Sequence, residues 1–303
     1  MPKAYVYTSH GGPETEKLID MDRPTAGPGE ILVAVRAAGV NPADWKLRSG
    51  MRAASAFPVV FGTEAAGVVE EVGEGVTAFS AGDAVFGRAV AGSYAEYALL
   101  QAPLTAHIPE GLSFNEAAVL PVAAVTAYVG IRQLALPTGS TVLVTGAGGG
   151  VGVAAVQIAR AFGLQVIGTA SESKKEFLES LGAVHVASGP HLAARAWAAA
   201  MEGVDGVFDL IGGDDLGEVA TLLVDPSKLI TAVAAPQEVG RLGGAFISRD
   251  RDATMLEEVA RLVQQGDLDT CVTQVFPLEQ AGLAVRAVEE GHARGKIVIT
   301  PGK

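Results

Sequence analysis

Between residues 141 and 159 the chain reads Thr-Val-Leu-Val-Thr-Gly-Ala-Gly-Gly-Gly-Val-Gly-Val-Ala-Ala-Val-Gln-Ile-Ala. The chemistry such a stretch can do is to hold a diphosphate. Its apolar, β-branched opening predicts a strand buried on both faces. Glycines follow, and Val153, Val156, Ile158 and Ala159 then return at helical spacing. Strand, tight turn and helix in that order set main-chain amides and the positive end of a helix dipole against a pyrophosphate. A G-x-G-x-x-G frame begun at Gly146 meets Val151 where its third glycine should be. Gly146, Gly149 and Gly152 instead fit G-x-x-G-x-x-G, with Gly150 and Val151 inside the frame. A second strand over 165–170 follows at the distance a βαβ unit requires. A glycine-rich turn with no ligand is the competing reading.

The end of that second strand selects the nucleotide. An NAD-selective site carries Asp or Glu there, about 20 residues past the glycines, to grip the ribose hydroxyls. This chain has Ala170 and Ser171, with Lys174 and Lys175 just beyond. A carboxylate would repel a 2′-phosphate, whereas a hydroxyl and ammonium groups attract it, so NADPH is the expected cofactor. Glu172 stands close by, and a solvated face of a helix beginning at Ser173 also accounts for the two lysines.

Two kinds of pattern surround this core. Short alternating segments (4–7, 31–37, 68–72, 84–86, 94–99), set between Gly, Asp and Ser, predict a barrel-like or sandwich domain before residue 113. Ser113-Phe114-Asn115-Glu116 has the form of a helix N-cap with an acid in the first turn. Strands at 142–145, 165–169, 207–210 and 228–233 then alternate with helices at 151–161, 173–181 and 215–223. That pattern predicts an α/β, doubly wound parallel sheet. Helices over 254–265 and 278–290 and a strand over 296–300 close the chain, and so apolar a terminal strand is expected to return to the first domain. The expected division is 1–113 with 250–303, and 114–249.

Composition narrows the classes. At 303 residues two domains and a sizeable core are available. A formal net charge of −12 disfavours nucleic acid or an anionic membrane surface as partner. One cysteine, Cys271, leaves no internal disulfide and no cysteine-rich metal site, which suits a reducing cytoplasm. The N-terminus lacks a signal-peptide pattern and no apolar run reaches membrane-spanning length. The histidines (His10, His107, His185, His191, His292) show no ligand spacing, so surface or cap roles are expected for them.

Several further motifs carry a resemblance. Ala38-Gly39-Val40-Asn41-Pro42-Ala43-Asp44, Gly62-Thr63-Glu64-Ala65-Ala66-Gly67-Val68-Val69, the run from Val72 to Gly87, Thr126-Ala127-Tyr128, Asp209-Leu210-Ile211-Gly212-Gly213 and Gly295-Lys296-Ile297-Val298 occur in this order. Together they resemble the zinc-independent quinone oxidoreductases (the zeta-crystallin-like family) of the medium-chain dehydrogenase/reductase superfamily, over essentially the whole chain. The resemblance implies a GroES-like catalytic domain beside a Rossmann domain and reduction of a quinone or activated enone by NADPH. It implies Asn41 near the nicotinamide ribose, Thr126 near the carboxamide or phosphate, and Gly149, Gly150 and Val151 on the diphosphate. It further implies Ala234 and Phe246 beside the nicotinamide, Lys296 near the phosphates, and a homodimer.

In zinc-dependent relatives the metal positions correspond to Asn41, Thr63 and approximately Val122, none an adequate replacement for thiolate or imidazole. No metal is therefore expected. Neither a Ser-His-Asp set nor a carboxylate pair is evident, so no catalytic side chain is assigned. Asp44, Trp45 and Arg52 lie on the segment expected to border the reaction cleft, with structural roles favoured for each. The alternatives are an enoyl-thioester reductase of lipid or polyketide metabolism, or a non-catalytic NADPH-binding protein. The thioester reductases usually carry a tyrosine proton donor near residues 51–52, and no tyrosine stands in 51–57.

Overall fold

Local alternation and apolar runs resolve into the strands Lys3–Tyr7 (β1), Glu16–Asp20 (β2), Glu30–Gly39 (β3), Val59–Val60 (β4), Glu64–Val72 (β5), Ala84–Ala89 (β6), Tyr97–His107 (β7), Thr141–Val144 (β8), Gln165–Ala170 (β9), Val184–Ala187 (β10), Gly206–Asp209 (β11), Leu229–Thr231 (β12), Ala245–Phe246 (β13), Val272–Pro277 (β14) and Lys296–Thr300 (β15). The structure is a computed structural model that describes residues 1–51, 56–200, 203–291, 293 and 295–302. Two units emerge, one of 1–122, 251–264 and 270–303, the other of 123–250 and 265–269.

The first unit is the β-rich one. Its main sheet runs β14-β15-β3-β5-β6-β7, and a further pairing of β3 with β7 closes the last four strands on themselves. Ile31, Leu32 and Val33 are all fully buried. The expected in–out alternation of this segment fails because β3 has a partner on each edge and is covered on both faces. Its core gathers Ile31, Val33, Phe61, Val85, Tyr94 and Leu100 with Leu278, Val285, Ile297 and Ile299 from the end of the chain. The terminal strand β15 returns to this unit, antiparallel to β3 and parallel to β14. A buried arginine braces the same region. Arg48 ends the helix Pro42–Arg48, donates to the Gly11 carbonyl at 3.1 Å, and pairs with Glu16 and with Glu289 (2.8 Å) of the helix Ala281–Glu289. That fixes the helix whose first residue follows Asn41.

The second unit is a wholly parallel sheet in the order β10-β9-β8-β11-β12-β13. Val142, Leu143 and Val144 are fully buried, as a central strand with helices on both faces demands. The chain runs outward from β8 to β10, then crosses back to β11 and runs out the other way. The switch point therefore lies between β8 and β11, where open α/β sheets bind ligands beyond the strand C-termini.

The units divide at 122/123 rather than at 113/114. Ser113 does cap a helix, its Oγ accepting from the Glu116 amide at 3.3 Å while the Glu116 carboxylate accepts from the Ser113 amide at 2.9 Å. That short helix, Phe114–Ala117, packs on β3 and β5 with Ala117 fully buried, which keeps it with the first unit. Residues 265–269 join the second unit because Gln157 clasps Asp269 through its amide (2.9 and 2.8 Å). One expectation is corrected: the helical run Phe114–Leu134, 21 residues, is long and apolar enough by length and composition to span a bilayer, and 78% of its most apolar window is buried inside the protein. Core helices commonly meet that description.

Candidate active site

In the second unit the glycine run forms the turn expected of it. Gly146 sits at φ +63°, in the left-handed region that an L side chain resists. Gly149 caps the helix Gly150–Ala161 at its N-terminus. A Cβ on Gly152 would lie 2.3 Å from the Gly146 carbonyl oxygen and 2.5 Å from Ala147 Cα, so only glycine lets the helix press so closely on the turn. The amides of Gly150, Val151 and Gly152 are the first of that helix and have no acceptor within it. A diphosphate fits this arrangement, because those amides and the helix dipole converge where its charge would rest.

Behind the turn stands a buried carboxylate. Asp209, at the C-terminal end of β11 and fully buried, accepts from Thr145 Oγ1 (2.7 Å), Thr231 Oγ1 (2.7 Å) and the amides of Ile211 and Gly212 (3.1 Å each). The Thr145 hydroxyl also accepts from the Leu210 amide at 2.9 Å, and that of Thr231 from the Ala234 amide at 3.1 Å. Asp209 therefore ties the ends of three neighbouring strands and shapes the rim on which Ala234 lies. Sequence reading missed this brace, although an Asp directly after an apolar strand is its visible signal.

The remaining expected residues of this unit divide. Ser171 is exposed, its Oγ 3.1 Å from that of Ser173. Lys174 leaves the solvated face and folds over the glycine turn, Nζ donating to the Gly148 carbonyl at 2.9 Å. Lys175, in contrast, begins the helix Lys175–Ser180 with its side chain exposed. The geometry thus brings Lys174, not Lys175, to the glycine turn. Thr126 lies part-exposed on the first turn of the helix Val125–Leu134 and its hydroxyl makes no hydrogen bond among the described residues, so the back-bond to its own helix is not made. Further along that helix Gln133 donates to the Phe246 carbonyl (3.2 Å) and accepts from the Ser248 amide (2.8 Å). The Phe246 ring carries the Arg249 guanidinium 5.4 Å from its centroid.

The first unit holds a second buried polar group of a different kind. Lys296, 5% exposed, donates from Nζ to the Val40 carbonyl (3.1 Å), Asn41 Oδ1 (2.6 Å) and Glu64 Oε1 (3.2 Å). Asn41 Nδ2 also donates to Glu64 Oε1 at 2.6 Å, and the Val122 amide donates to Glu64 Oε2 at 2.7 Å. Asp44 accepts from the Asn41 amide (2.8 Å) and from Tyr94 Oη (2.7 Å). Burial pushes the Asp44 carboxyl up to about 6, against the pull of its bonds to Tyr94 and Asn41, and burial also drives the Tyr94 phenol well above its ordinary value. Three buried polar atoms here have no hydrogen-bond partner among the described residues: Asp44 Oδ1, Thr63 Oγ1 and Trp45 Nε1. Buried orphans of this kind mark capacity for a polar guest.

These contacts revise the expectation for Lys296, whose three donors are all committed inside the first unit, leaving none for a phosphate. They also speak to zinc. Of the positions matching a zinc ligand set, Asn41 meets both Glu64 and the Lys296 ammonium, the Val122 amide meets Glu64, and Thr63 directly precedes Glu64 in the chain. A cation already fills that centre and the neighbouring donors are an amide, a hydroxyl and a main-chain N–H, so the residues do not fit a divalent metal. Four histidines take the surface and cap roles expected: His10, His107 and His185 each have a ring nitrogen 3.2–3.3 Å from a carbonyl oxygen, and His191 precedes the helix Leu192–Ala199. His292 and Arg52 lie outside the described residues. Glu64 and Asp44, at the centre of this site, were not selected as site residues because each is a single acid in an apolar or helical context.

Comparison with known proteins agrees with this geometry. Residues 27–110 match the alcohol dehydrogenase GroES-like domain and residues 181–299 the zinc-binding dehydrogenase model. The rat quinone oxidoreductase is 39% identical over 310 residues, covering 95% of this chain and 93% of that protein. Erythronolide synthase EryA2 of Saccharopolyspora erythraea is 36% identical over 300 residues, which is 93% of this chain. The chain spans only 5–14% of the length of that and three other polyketide synthases. Among solved structures, mycobacterial Rv1454c in complex with NADPH superposes with a TM-score of 0.87 at 28% identity, covering 99% of this chain and 100% of that one. The chain belongs to the quinone oxidoreductase family of the medium-chain dehydrogenase/reductase superfamily.

Proposed function

We propose that this protein reduces quinones or activated α,β-unsaturated carbonyls with NADPH and without zinc. The observation that carries the reading is the Lys296 ammonium where relatives hold a metal, in a chain whose nucleotide cradle is intact. When bound, the nicotinamide supplies the hydride. The first-turn amides of 150–152 hold the diphosphate, and Lys174, beside Gly148, attracts a 2′-phosphate. On the acceptor side Thr63 Oγ1 is a buried donor with no partner among the described residues, suited to meet the oxygen on which negative charge develops. Fluorescence titration with NADPH and NADH, followed by an acceptor panel, tests the reading. NADPH is expected to bind more tightly than NADH, and Lys174→Glu to erode that preference by about tenfold. An ortho-quinone or enone is expected to oxidise NADPH at a rate that chelators leave unchanged. Failure of every quinone and enone to oxidise either nucleotide would overturn it.

Similarity to polyketide synthases supports a second reading, reduction of an enoyl thioester. Turnover of a crotonyl thioester above that of every free enone would select it. The formal charge of −12 supports a protein that binds neither nucleic acid nor membrane, and we take its working form to be a cytoplasmic homodimer, a state that sedimentation equilibrium would test.

A further inference from the structure

The first unit contains a cavity that the reductase chemistry does not use. It has a volume of about 140 Å³ and lies where the start of β1, the start of β7, Val60 of β4 and the stretches 21–24 and 91–95 meet. Its origin is legible in residue size. Ala4, Val6 and Ala95 form a small apolar cluster with Ile19, Met21 and Val60 packed on it, apart from the main core of the unit. Ala4, Ala91, Gly92 and Ala95 bring at most one side-chain carbon each to the lining, so the surrounding segments meet and the middle stays empty. The wall cannot close the gap from the side of Gly92. A Cβ there would lie 2.5 Å from the Cβ of Val60, so that loop is already pressed against β4. Protein interiors otherwise pack to the density of organic crystals, and an apolar void of roughly 150 Å³ takes up a benzene ring.

The cavity is separate from the Glu64 group. Ser93 and Tyr94, between Gly92 and Ala95, turn the other way. Ser93 Oγ donates to the Glu64 carbonyl at 2.8 Å and Tyr94 Oη to Asp44 at 2.7 Å. The two sites thus stand on opposite sides of one segment and share no lining residue.

The charges at the edge of the cavity select its guest. Asp22 is part of the lining, and its carboxylate has no hydrogen bond or ion pair among the described residues. The two cations beside it are engaged. Lys3 Nζ pairs with Asp20 at 3.2 Å, and Arg23 pairs with Glu70 at 3.1 Å while its guanidinium lies 4.8 Å from the centroid of the Tyr97 ring. Glu96 accepts from the Lys3 amide at 3.2 Å. Asp20, Asp22, Glu70 and Glu96 therefore outnumber Lys3 and Arg23, and the acid left over is the one that lines the hollow. A ring-sized apolar body with a cationic head complements both the shape and the charge. We propose that this cavity is a binding site for a small arylalkyl amine, its ring in the void between Ala4, Val60, Ala95 and Tyr97 and its ammonium at Asp22.

Calorimetry on the full chain, with benzylamine, benzyl alcohol and benzoate as probes, tests the proposal. Benzylamine is expected to bind about threefold more tightly than benzyl alcohol, and benzoate more weakly than either. Asp22→Asn is expected to bring benzylamine and benzyl alcohol to the same affinity. Ala95→Leu, which fills the void, is expected to weaken both by about tenfold and to melt at or above the parent temperature. Ala4→Val is a smaller filling that decides the matter should Ala95→Leu not fold, and it is expected to act in the same direction. Absence of saturable benzylamine binding, an amine preference that survives Asp22→Asn, or unchanged affinity in the filled variants would overturn the proposal. So would competition by NADPH or by a quinone, which would put the amine in the reaction cleft. Dissociation of an oligomer in Ala95→Leu or Ala4→Val, read by sedimentation equilibrium, would show that a second copy of the chain fills the hollow and would likewise overturn it. These readouts need no turnover, so failure of the reductase reading leaves them intact.

Discussion

The two units each bury a carboxylate, and they do so in opposite ways. Asp209 is surrounded by neutral donors, two threonine hydroxyls and two main-chain amides, all between 2.7 and 3.1 Å. Glu64 instead shares its oxygens with a buried ammonium, a side-chain amide and one main-chain amide. Around Asp209 each threonine hydroxyl is used at least twice, whereas the group around Glu64 includes Asp44 Oδ1 and Thr63 Oγ1 with no partner among the described residues. A saturated network rigidifies a rim for a ligand that binds to main chain. An unsaturated one, charged and dry, is poised to accept a polar guest. The contrast teaches that the group beneath the glycine turn is scaffold-like and the group around Glu64 is where spare polar capacity is kept.

The sharpest way to break the comparison is Lys296→Met, which leaves the Glu64 carboxylate buried without its cation and is expected to cost about 3–5 kcal/mol of stability in denaturant titration. The double variant Lys296→Met with Glu64→Gln is expected to recover much of that loss; no recovery would mean the pair is not the unit of stability. Next is the pH dependence of Asp44. Its folded value of about 6 exceeds the unfolded carboxyl value, so the folded state holds the proton more tightly. Stability from this group is full below about pH 4 and falls as pH rises through about 6, by roughly 3 kcal/mol in all. Asp44→Asn is expected to flatten that slope in melts across the range, and an unchanged slope would remove Asp44 as its source.

On the scaffold side Asp209→Asn sets a buried amide against donors and is expected to cost about 1.5–3 kcal/mol. It should also weaken NADPH binding through the displaced rim. Unaltered nucleotide affinity in a destabilised variant would separate the brace from the cradle. The smallest effect is expected of Gly152→Ala, whose Cβ would meet the Gly146 carbonyl at 2.3 Å. It should cost about 1–3 kcal/mol and lower NADPH affinity more than acceptor affinity.

Much of this was legible in the residues, and the reasons are physical. The strand–turn–helix at 141–161 depends on neighbours in sequence, so periodicity and glycine spacing were enough to find it. Lys174 and Lys175 were named together for a 2′-phosphate, but the contact of Lys174 with Gly148 spans 26 positions and separates it from Lys175 only in three dimensions. Asn41 and Lys296 were both named through motifs, but that they meet each other and Glu64 was not foreseen. Lys296 was expected beside phosphate on the strength of the resemblance alone; the fold supplied Glu64 as its anion. The boundary near 113 was misplaced because a helix cap announces where a helix starts and not which core it joins.

What the sequence alone determined is the order of its elements, the parallel sheet, the glycine turn and the lack of good zinc ligands at the matching positions, since each follows from short-range pattern or residue chemistry. Tertiary structure decided the rest. Lys296 meets Asn41 and Glu64 across 255 and 232 residues, and Thr145 meets Asp209 across 64. Which polar groups face one another in a dry interior depends on how distant strands are brought into register, and no local pattern carries that information.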